Sequence, residues 1–214
     1  MSQSLKIALF GATGMVGSRI AAEAARRGHQ VSALVRQPER VVAGPNVQAA
    51  KADLLDAASV AAAVRGHDVV ASAYAPPSGQ LGDLQVASRA LVDGTRAAGL
   101  TRLVVVGGAG SLEVAPGKQL VDTDGFPDAY KPIALAHREA LAYYRTVTDL
   151  DWTFFAPAAL IAPGERTGTF RTGANTLIAD AKGDSRISAE DYAIAFVNEL
   201  EQAHFVRQIA TVAY

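Results

Sequence analysis

Apolar residues in this chain fall into short runs of four to seven positions, separated by longer stretches whose apolar positions recur at helical spacing. Residues 5–10, Leu5-Lys6-Ile7-Ala8-Leu9-Phe10, read as a buried strand, and residues 18–27 as a helix ended by Gly28. Residues 30–35 and 47–51 follow as second and third strands. A short helix spans 56–64, with Asp56 placed to cap it and Gly66 to end it. Residues 68–74 form a fourth strand, and 83–98 a long helix stopped by Gly99. The run 102–106, Arg102-Leu103-Val104-Val105-Val106, is continuously apolar after its arginine, as a strand covered on both faces should be. A helix over 132–148, a sixth strand over 151–156 stopped by Pro157, a last helix over 189–201 and a closing strand over 208–212 complete the pattern.

Strands alternating with helices predict an α/β fold, a doubly wound parallel sheet with helices on both faces. Right-handed crossovers and a leading glycine turn favour strand order 3-2-1-4-5-6, with the closing strand beyond. The chain reads as one domain, 1–214, of Rossmann type. Two glycine- and proline-containing segments, 111–130 and 163–186, read as long irregular insertions that border a substrate or merely decorate the surface.

The glycine turn carries the first chemistry. Between first strand and first helix stands Gly11-Ala12-Thr13-Gly14-Met15-Val16-Gly17. Strand, glycine turn and helix in that order are the setting of a dinucleotide-binding turn. Gly11 would turn the chain off the strand, Gly14 would let backbone approach a pyrophosphate, and Gly17 would bring helix against sheet. The free N–H groups of Thr13, Met15 and Val16 would face the phosphates, aided by the helix dipole. A ligand-free strand-to-helix turn is the alternative.

Ligands of such sheets lie beyond the carboxyl ends of the strands, so the residues there are read next. After the second strand stand Arg36 and Arg40, where an acidic residue would hold a ribose 2′-hydroxyl. Fork-shaped cations suit a 2′-phosphate, which favours NADP(H), with NAD(H) left open; two solvated arginines would look the same. After the third strand, Asp53 is placed to accept from the adenine amino group and Leu54 to pack on the ring, unless they are turn and core residues. Ala73, Tyr74 and Ala75 follow the fourth strand, and Gly108 and Ala109 the fifth; their small side chains would leave open backbone beside nicotinamide. Pro157 follows the sixth and would wall the nicotinamide.

Composition narrows the partners. The 214 residues are 50 % hydrophobic, which implies a packed core. Lys plus Arg is 20 and Asp plus Glu 21, so net charge is −1 and nothing draws the chain to nucleic acid or anionic membrane. Without cysteine, thiolate catalysis, disulfides and thiolate metal sites are excluded. His29, His67 and His204 lack spaced partners, so no metal is expected. Met1-Ser2-Gln3-Ser4 leads into the first strand without the apolar core of a secretory signal, and a cytoplasmic protein is expected.

Taken together, these segments resemble the atypical branch of the short-chain dehydrogenase/reductase superfamily. The resemblance spans nearly the whole chain and rests on the glycine turn, Leu34-Val35-Arg36, Lys51-Ala52-Asp53-Leu54, residues 104–111, Leu150-Asp151-Trp152-Thr153-Phe154 and residues 186–193. It is similar above all to NAD(P)-binding proteins named as NADH-flavin reductases, and at greater distance to biliverdin reductase B/flavin reductase and NmrA-like proteins. The resemblance implies an NAD(P)H-dependent oxidoreductase and a flavin, quinone or other conjugated acceptor. One departure stands out. The superfamily's catalytic Tyr-x-x-x-Lys pair is missing: Tyr130 is followed by Lys131-Pro132-Ile133-Ala134, and Tyr143-Tyr144 does not supply it either.

Remaining candidates for chemistry are Ser111, Tyr130, Lys131 and His137. Ser111 would hydrogen-bond an acceptor carbonyl, or serve as a turn residue. Tyr130 and Lys131 would act beside nicotinamide without the usual spacing, or form a polar loop. His137 would donate a proton near neutral pH, or pack its helix. Trp152 reads as core. The leading reading is a reductase; the alternative is an NmrA-like sensor that binds NAD(P) and reports to a protein partner. A sugar-nucleotide epimerase or dehydratase fits less well, because it needs the missing pair.

Overall fold

The computed structural model describes residues 4–214; the expected lack of a secretory leader falls partly on residues 1–3, outside the described residues. In chain order the elements are β1 (Lys6–Phe10), α1 (Met15–Arg26), β2 (Gln30–Val35), β3 (Val47–Lys51), α2 (Ala57–Val64), β4 (Val69–Ser72), α3 (Asp83–Ala97) and β5 (Arg102–Val106). Then come β6 (Glu113–Ala115), β7 (Lys118–Gln119), α4 (Lys131–Tyr144), β8 (Asp151–Ala156), β9 (Leu160–Ala162), β10 (Arg171–Gly173), β11 (Arg186–Ser188), α5 (Ala189–Gln202) and β12 (Gln208–Ala213). The main sheet runs β10-β12-β8-β5-β4-β1-β2-β3 and is parallel throughout except for β10. Counted over the long strands this is the expected order, with β8 as the sixth strand and β12 as the closing one.

Alternation along the strands explains both apolar layers. In β5, Leu103 and Val105 face a layer built from α2, α3 and α4 with Phe10, Leu34, Trp152 and Phe154. Val104, between them, faces α1 and α5 with Leu9, Val31 and Phe155. Asp56 accepts from Ala58 N at 2.9 Å and caps α2, as its position in the sequence implied. Trp152 is buried and donates to Val147 O at 2.9 Å.

Four expectations need correction. Helix α1 begins at Met15 rather than Ser18, because the glycine turn flows directly into it. Strand β4 is shorter than 68–74, ending at Ser72 before the chain leaves the sheet. Helix α4 stops at Tyr144, not 148. The β-branched run Thr146-Val147-Thr148 turns instead, with Thr146 Oγ1 donating to Tyr143 O at 2.7 Å. The two insertions are not irregular throughout. β6 and β7 form a small antiparallel ribbon, β9 and β11 a parallel pair, and β10 joins the main sheet antiparallel to β12. The insertions also meet: Glu113 N donates to Asn175 O at 2.8 Å, and Leu177 N to Glu113 O at 2.9 Å.

Buried carboxylates tie the outer elements down. Glu23 on α1 accepts from Arg26 and Arg27 of its own helix and from Arg166 of the second insertion. Burial alone would raise its pKa, but these hydrogen bonds outweigh it and hold the carboxyl at about 2, against an ordinary 4.5. Asp191, fully buried on α5, accepts from Thr167 Oγ1, Gly168 N and the Tyr214 hydroxyl. Glu199 pairs with Arg102 at 2.6 Å and accepts from the backbone N–H groups of His204 and Phe205. No helix among the described residues is long and apolar enough to cross a membrane.

Removing Glu199 strands a largely buried guanidinium, so Glu199→Ala should cost about 3–5 kcal/mol in urea denaturation. Asp93 pairs with Arg96 in the open, and Asp93→Ala should stay within about 0.5 kcal/mol. Glu23 binds its proton less readily folded than unfolded. Its stabilisation is complete above pH 4.5 and is lost as pH falls from there toward 2. Thermal denaturation of Glu23→Gln should therefore lose less Tm than the parent across that window; parallel curves would remove the role.

Candidate cofactor-binding site

At the carboxyl ends of β1, β2 and β4 the chain leaves a cleft of about 230 Å³. It gathers Gly11, Thr13, Gly14, Arg36, Asp53, Leu54, Ala73, Tyr74 and Ala75 from the residues read off the strand ends. Phe10, Leu34, Val35, Ala52 and Leu55 line it as well, and the sequence reading missed them. They are the last residues of strands and the apolar neighbours of the polar signals, so their only mark was position.

The three glycines differ in what constrains them. Gly11 sits at φ +77°, and a Cβ there would lie 2.6 Å from the Ala73 backbone. A Cβ on Gly17 would lie 2.1 Å from Gly11 O. Both are therefore fixed by the protein's own packing. Gly14 is not: its φ of −78° and ψ of 168° suit any residue, and a Cβ would make only an ordinary 3.5 Å contact. What a side chain at Gly14 would fill is the space at the head of α1. Gly14 N donates to Gly11 O and Ser18 N to Gly14 O, which leaves the N–H groups of Met15, Val16 and Gly17 in the unsatisfied first turn. No side chain caps this helix and no acidic residue stands in its first turn, whereas Asp56 and Ser188 cap α2 and α5. An uncapped helix start beside a bare Cα fits a phosphate group.

A second open hollow adjoins the cleft, lined by Thr13, Val35, Arg36, Gln37 and Arg40. Arg36 and Arg40 are exposed; Arg40 donates weakly to Gln37 Oε1 at 3.4 Å, and neither arginine forms an ion pair among the described residues. Asp53 and Leu54 are turn and core residues that also border the cleft. Asp53 Oδ1 accepts from Leu55 N at 3.0 Å as a turn residue, and Leu54 is buried in the core, yet both face the cleft. Tyr74 is half-buried; desolvation first, and then the charge of Asp83, raise its pKa, so its phenol stays neutral.

The fifth and sixth strand ends lie apart from this cleft. Gly108 is partly exposed, and a Cβ there would meet the His137 side chain at 2.8 Å, so α4 packs against it on that side. Ala109 and Pro157 are half-buried and lie outside the cleft. Ser111 is completely buried, and its hydroxyl has no hydrogen-bond partner among the described residues. Tyr130 and Lys131 are exposed at the head of α4, while Ala134, where the pair's lysine would stand, is buried against Gly110. His137 is not a proton donor near neutral pH. Desolvation pushes its pKa down to about 4, so the imidazole is neutral at pH 7. His29 and His67 are structural: His29 accepts from Leu5 N and bonds Glu201, and His67 bonds Ser32 Oγ.

Comparison with known proteins agrees with this geometry. The model of a family described as NAD(P)H-binding matches residues 11–203. A Burkholderia pseudomallei structure, provisionally named an exported protein, is 70% identical, covers 98% of this chain and 100% of its own, and superposes with a TM-score of 0.92. A provisionally named epimerase from Bacteroides thetaiotaomicron is 38% identical over 99% and 98% of the two chains, TM-score 0.92. A provisionally named NADH-flavin reductase from Streptococcus pneumoniae is 33% identical over 98% and 99%, TM-score 0.87. Two of the names give different chemistries and the first gives none, yet all three proteins share one fold along the full length. Because the family model spans residues 11–203, from the glycine turn through the last helix, the chain belongs to the NAD(P)H-binding family.

Proposed function

We propose that this protein is a cytoplasmic, NADPH-dependent reductase of the atypical short-chain type, which passes hydride to a flat conjugated acceptor such as a flavin or quinone. The observation that carries the cofactor half is Gly14. Nothing in the protein's own packing requires glycine there, and the uncapped head of α1 stands beside it. Arg36 and Arg40, unpaired at the rim of the adjoining hollow, favour a ribose 2′-phosphate over a bare 2′-hydroxyl. Asp53 and Leu54 are placed for adenine, and Ala73, Tyr74 and Ala75 for the chain between adenosine and nicotinamide.

When bound, the reduced nicotinamide supplies the hydride; the protein's part is to hold it and the acceptor in register. The acceptor class follows from what is missing. With Ala134 buried where a lysine would activate a tyrosine, and with His137 neutral, no strong general acid stands ready. A conjugated acceptor spreads the incoming electrons and takes its proton from water. An epimerase or dehydratase lacks that option, despite the name of one relative. The similarity to a protein named as an NADH-flavin reductase supports the same class. The two insertions, joined through Glu113 and Asn175, are proposed to wall the acceptor side.

Calorimetric titration with NADPH and NADH, then NADPH oxidation with FMN, FAD and quinones, tests this reading. Tight NADPH binding with turnover of at least one acceptor is expected. Binding without turnover, together with a protein partner in pull-down, would instead make this an NmrA-like sensor. Gly14→Ala should fold with unchanged Tm and bind NADPH at least about tenfold more weakly, since a Cβ intrudes where a phosphate must approach. Unaltered affinity would sink the phosphate site. Arg36→Ala should weaken NADPH by roughly tenfold or more, the worth of one charge-assisted contact, and leave NADH nearly unchanged. Equal losses for both would remove the 2′-phosphate role.

A further inference from the structure

Between α3, α4 and the ends of β4 and β5 lies a second, smaller cavity of about 20 Å³. Its walls are largely apolar, formed by Leu84, Leu91, Val105, Ala140 and Phe154. The polar groups around it are mostly engaged. Ser88 Oγ donates to Leu84 O at 2.7 Å, and Ser72 Oγ accepts from Tyr74 N at 3.3 Å. His137 is the exception. It lines the cavity, and its Nδ1 is buried without a hydrogen-bond partner among the described residues.

A buried polar atom left unpaired costs about 1–3 kcal/mol, and folded proteins rarely tolerate one without a reason. The ring is held in place. Its Cδ2 edge lies against Gly108, which puts Nδ1 on the opposite edge, and Phe154 meets it edge-on at 6.1 Å between centroids. Gly108 is the residue that allows this, since a Cβ there would strike His137. An apolar side chain would fill the same place without stranding a nitrogen. The cavity is also next to the cofactor cleft, because Tyr74 lines both.

We propose that this cavity is a carbonyl subsite for the acceptor, in which His137, as its Nδ1–H tautomer, donates a hydrogen bond to a carbonyl oxygen that enters at the end of β5 beside Val106, beyond the stretch that Tyr74 offers to the cofactor. The proposal rests on the reductase reading and names its acceptor more closely: a conjugated carbonyl compound, as quinones and flavins are. The space holds about one water-sized group, so it takes an oxygen and leaves the acceptor ring outside, at the strand ends. The low pKa suits the role, because a neutral imidazole keeps one N–H to donate and does not bury a cation. On reduction the nicotinamide C–H bond breaks and a new bond to hydrogen forms on the acceptor. The electron pair moves onto the carbonyl oxygen, which takes its proton from water, and an N–H already fixed at that oxygen favours the charge as it develops.

His137→Phe keeps a ring against Gly108 and Phe154 and removes the donor. With menadione and FMN as acceptors its kcat/KM should fall about tenfold, NADPH affinity should hold, and Tm should not fall, since the variant no longer strands a nitrogen. Calorimetry of the same two compounds with NADP⁺-saturated protein should show acceptor affinity about tenfold weaker in the variant. Equal turnover and equal acceptor affinity would overturn the subsite and leave the reductase reading intact. If the parent protein turns over neither compound, the reductase reading falls. The calorimetric comparison then decides the subsite alone, and equal affinity or no binding overturns it. Should the variant fail to fold, ¹⁵N NMR of the His137 ring takes its place: an Nδ1 shift on adding menadione is expected, and an unmoved resonance counts against the proposal.

Discussion

The close approach of Gly17 to the Gly11 carbonyl sets the rest of this molecule in place. Helix α1 can leave β1 at that angle only because no side chain stands between them. The angle aims the head of α1 along the carboxyl edge of the sheet, where the unsatisfied N–H groups of its first turn have neither a capping side chain nor an acidic neighbour. With α1 seated, its inner face closes on Leu9, Val31 and α5. The candidate cofactor cleft is thus a consequence of packing at two glycines, and Gly14 lies in the gap that this packing leaves.

A second set of constraints is electrostatic and lies away from the cleft. Glu23, Asp191 and Glu199 are carboxylates withdrawn from water, each surrounded by donors from several elements. Withdrawing a carboxylate is unfavourable unless every lone pair finds a partner, so each acts as a tie point with exacting geometry. Glu199 fastens the turn after α5 to Arg102 on β5; Asp191 fastens the second insertion to α5; Glu23 fastens the same insertion to α1. Elements whose own strands are two or three residues long gain order from these ties that their backbone ladders alone would not supply.

Much of the frame was legible in the sequence because it rests on local signals. β2, β3, β5 and β8 were read at their observed ends from apolar runs bounded by charged or glycine residues. Strand order followed from connection handedness. The short strands β6, β7, β9, β10 and β11 were not legible, since two or three residues such as Arg171-Thr172-Gly173 carry no periodicity and pair only through distant partners. At the site, the glycine turn and Arg36 spoke through spacing, whereas Phe10 and Leu34 looked like any core residue. Small residues such as Gly107, Gly108 and Gly110 signal a close approach but do not say what approaches; on the Cβ side it is Phe154, His137 and Ala134.

The bond from Arg166 to Glu23 bears on how such a protein diversifies. Glu23 lies in the last turns of α1, the helix whose first turn faces the cleft, and Arg166 opens the second insertion. Thr167 and Gly168 are held by Asp191 beside it. An insertion sewn this firmly to α1 and α5 is no free cassette: a replacement would have to bring its own partners for Glu23 and Asp191, whereas residues 180–184, exposed in a turn of their own, can be altered without cutting a stitch.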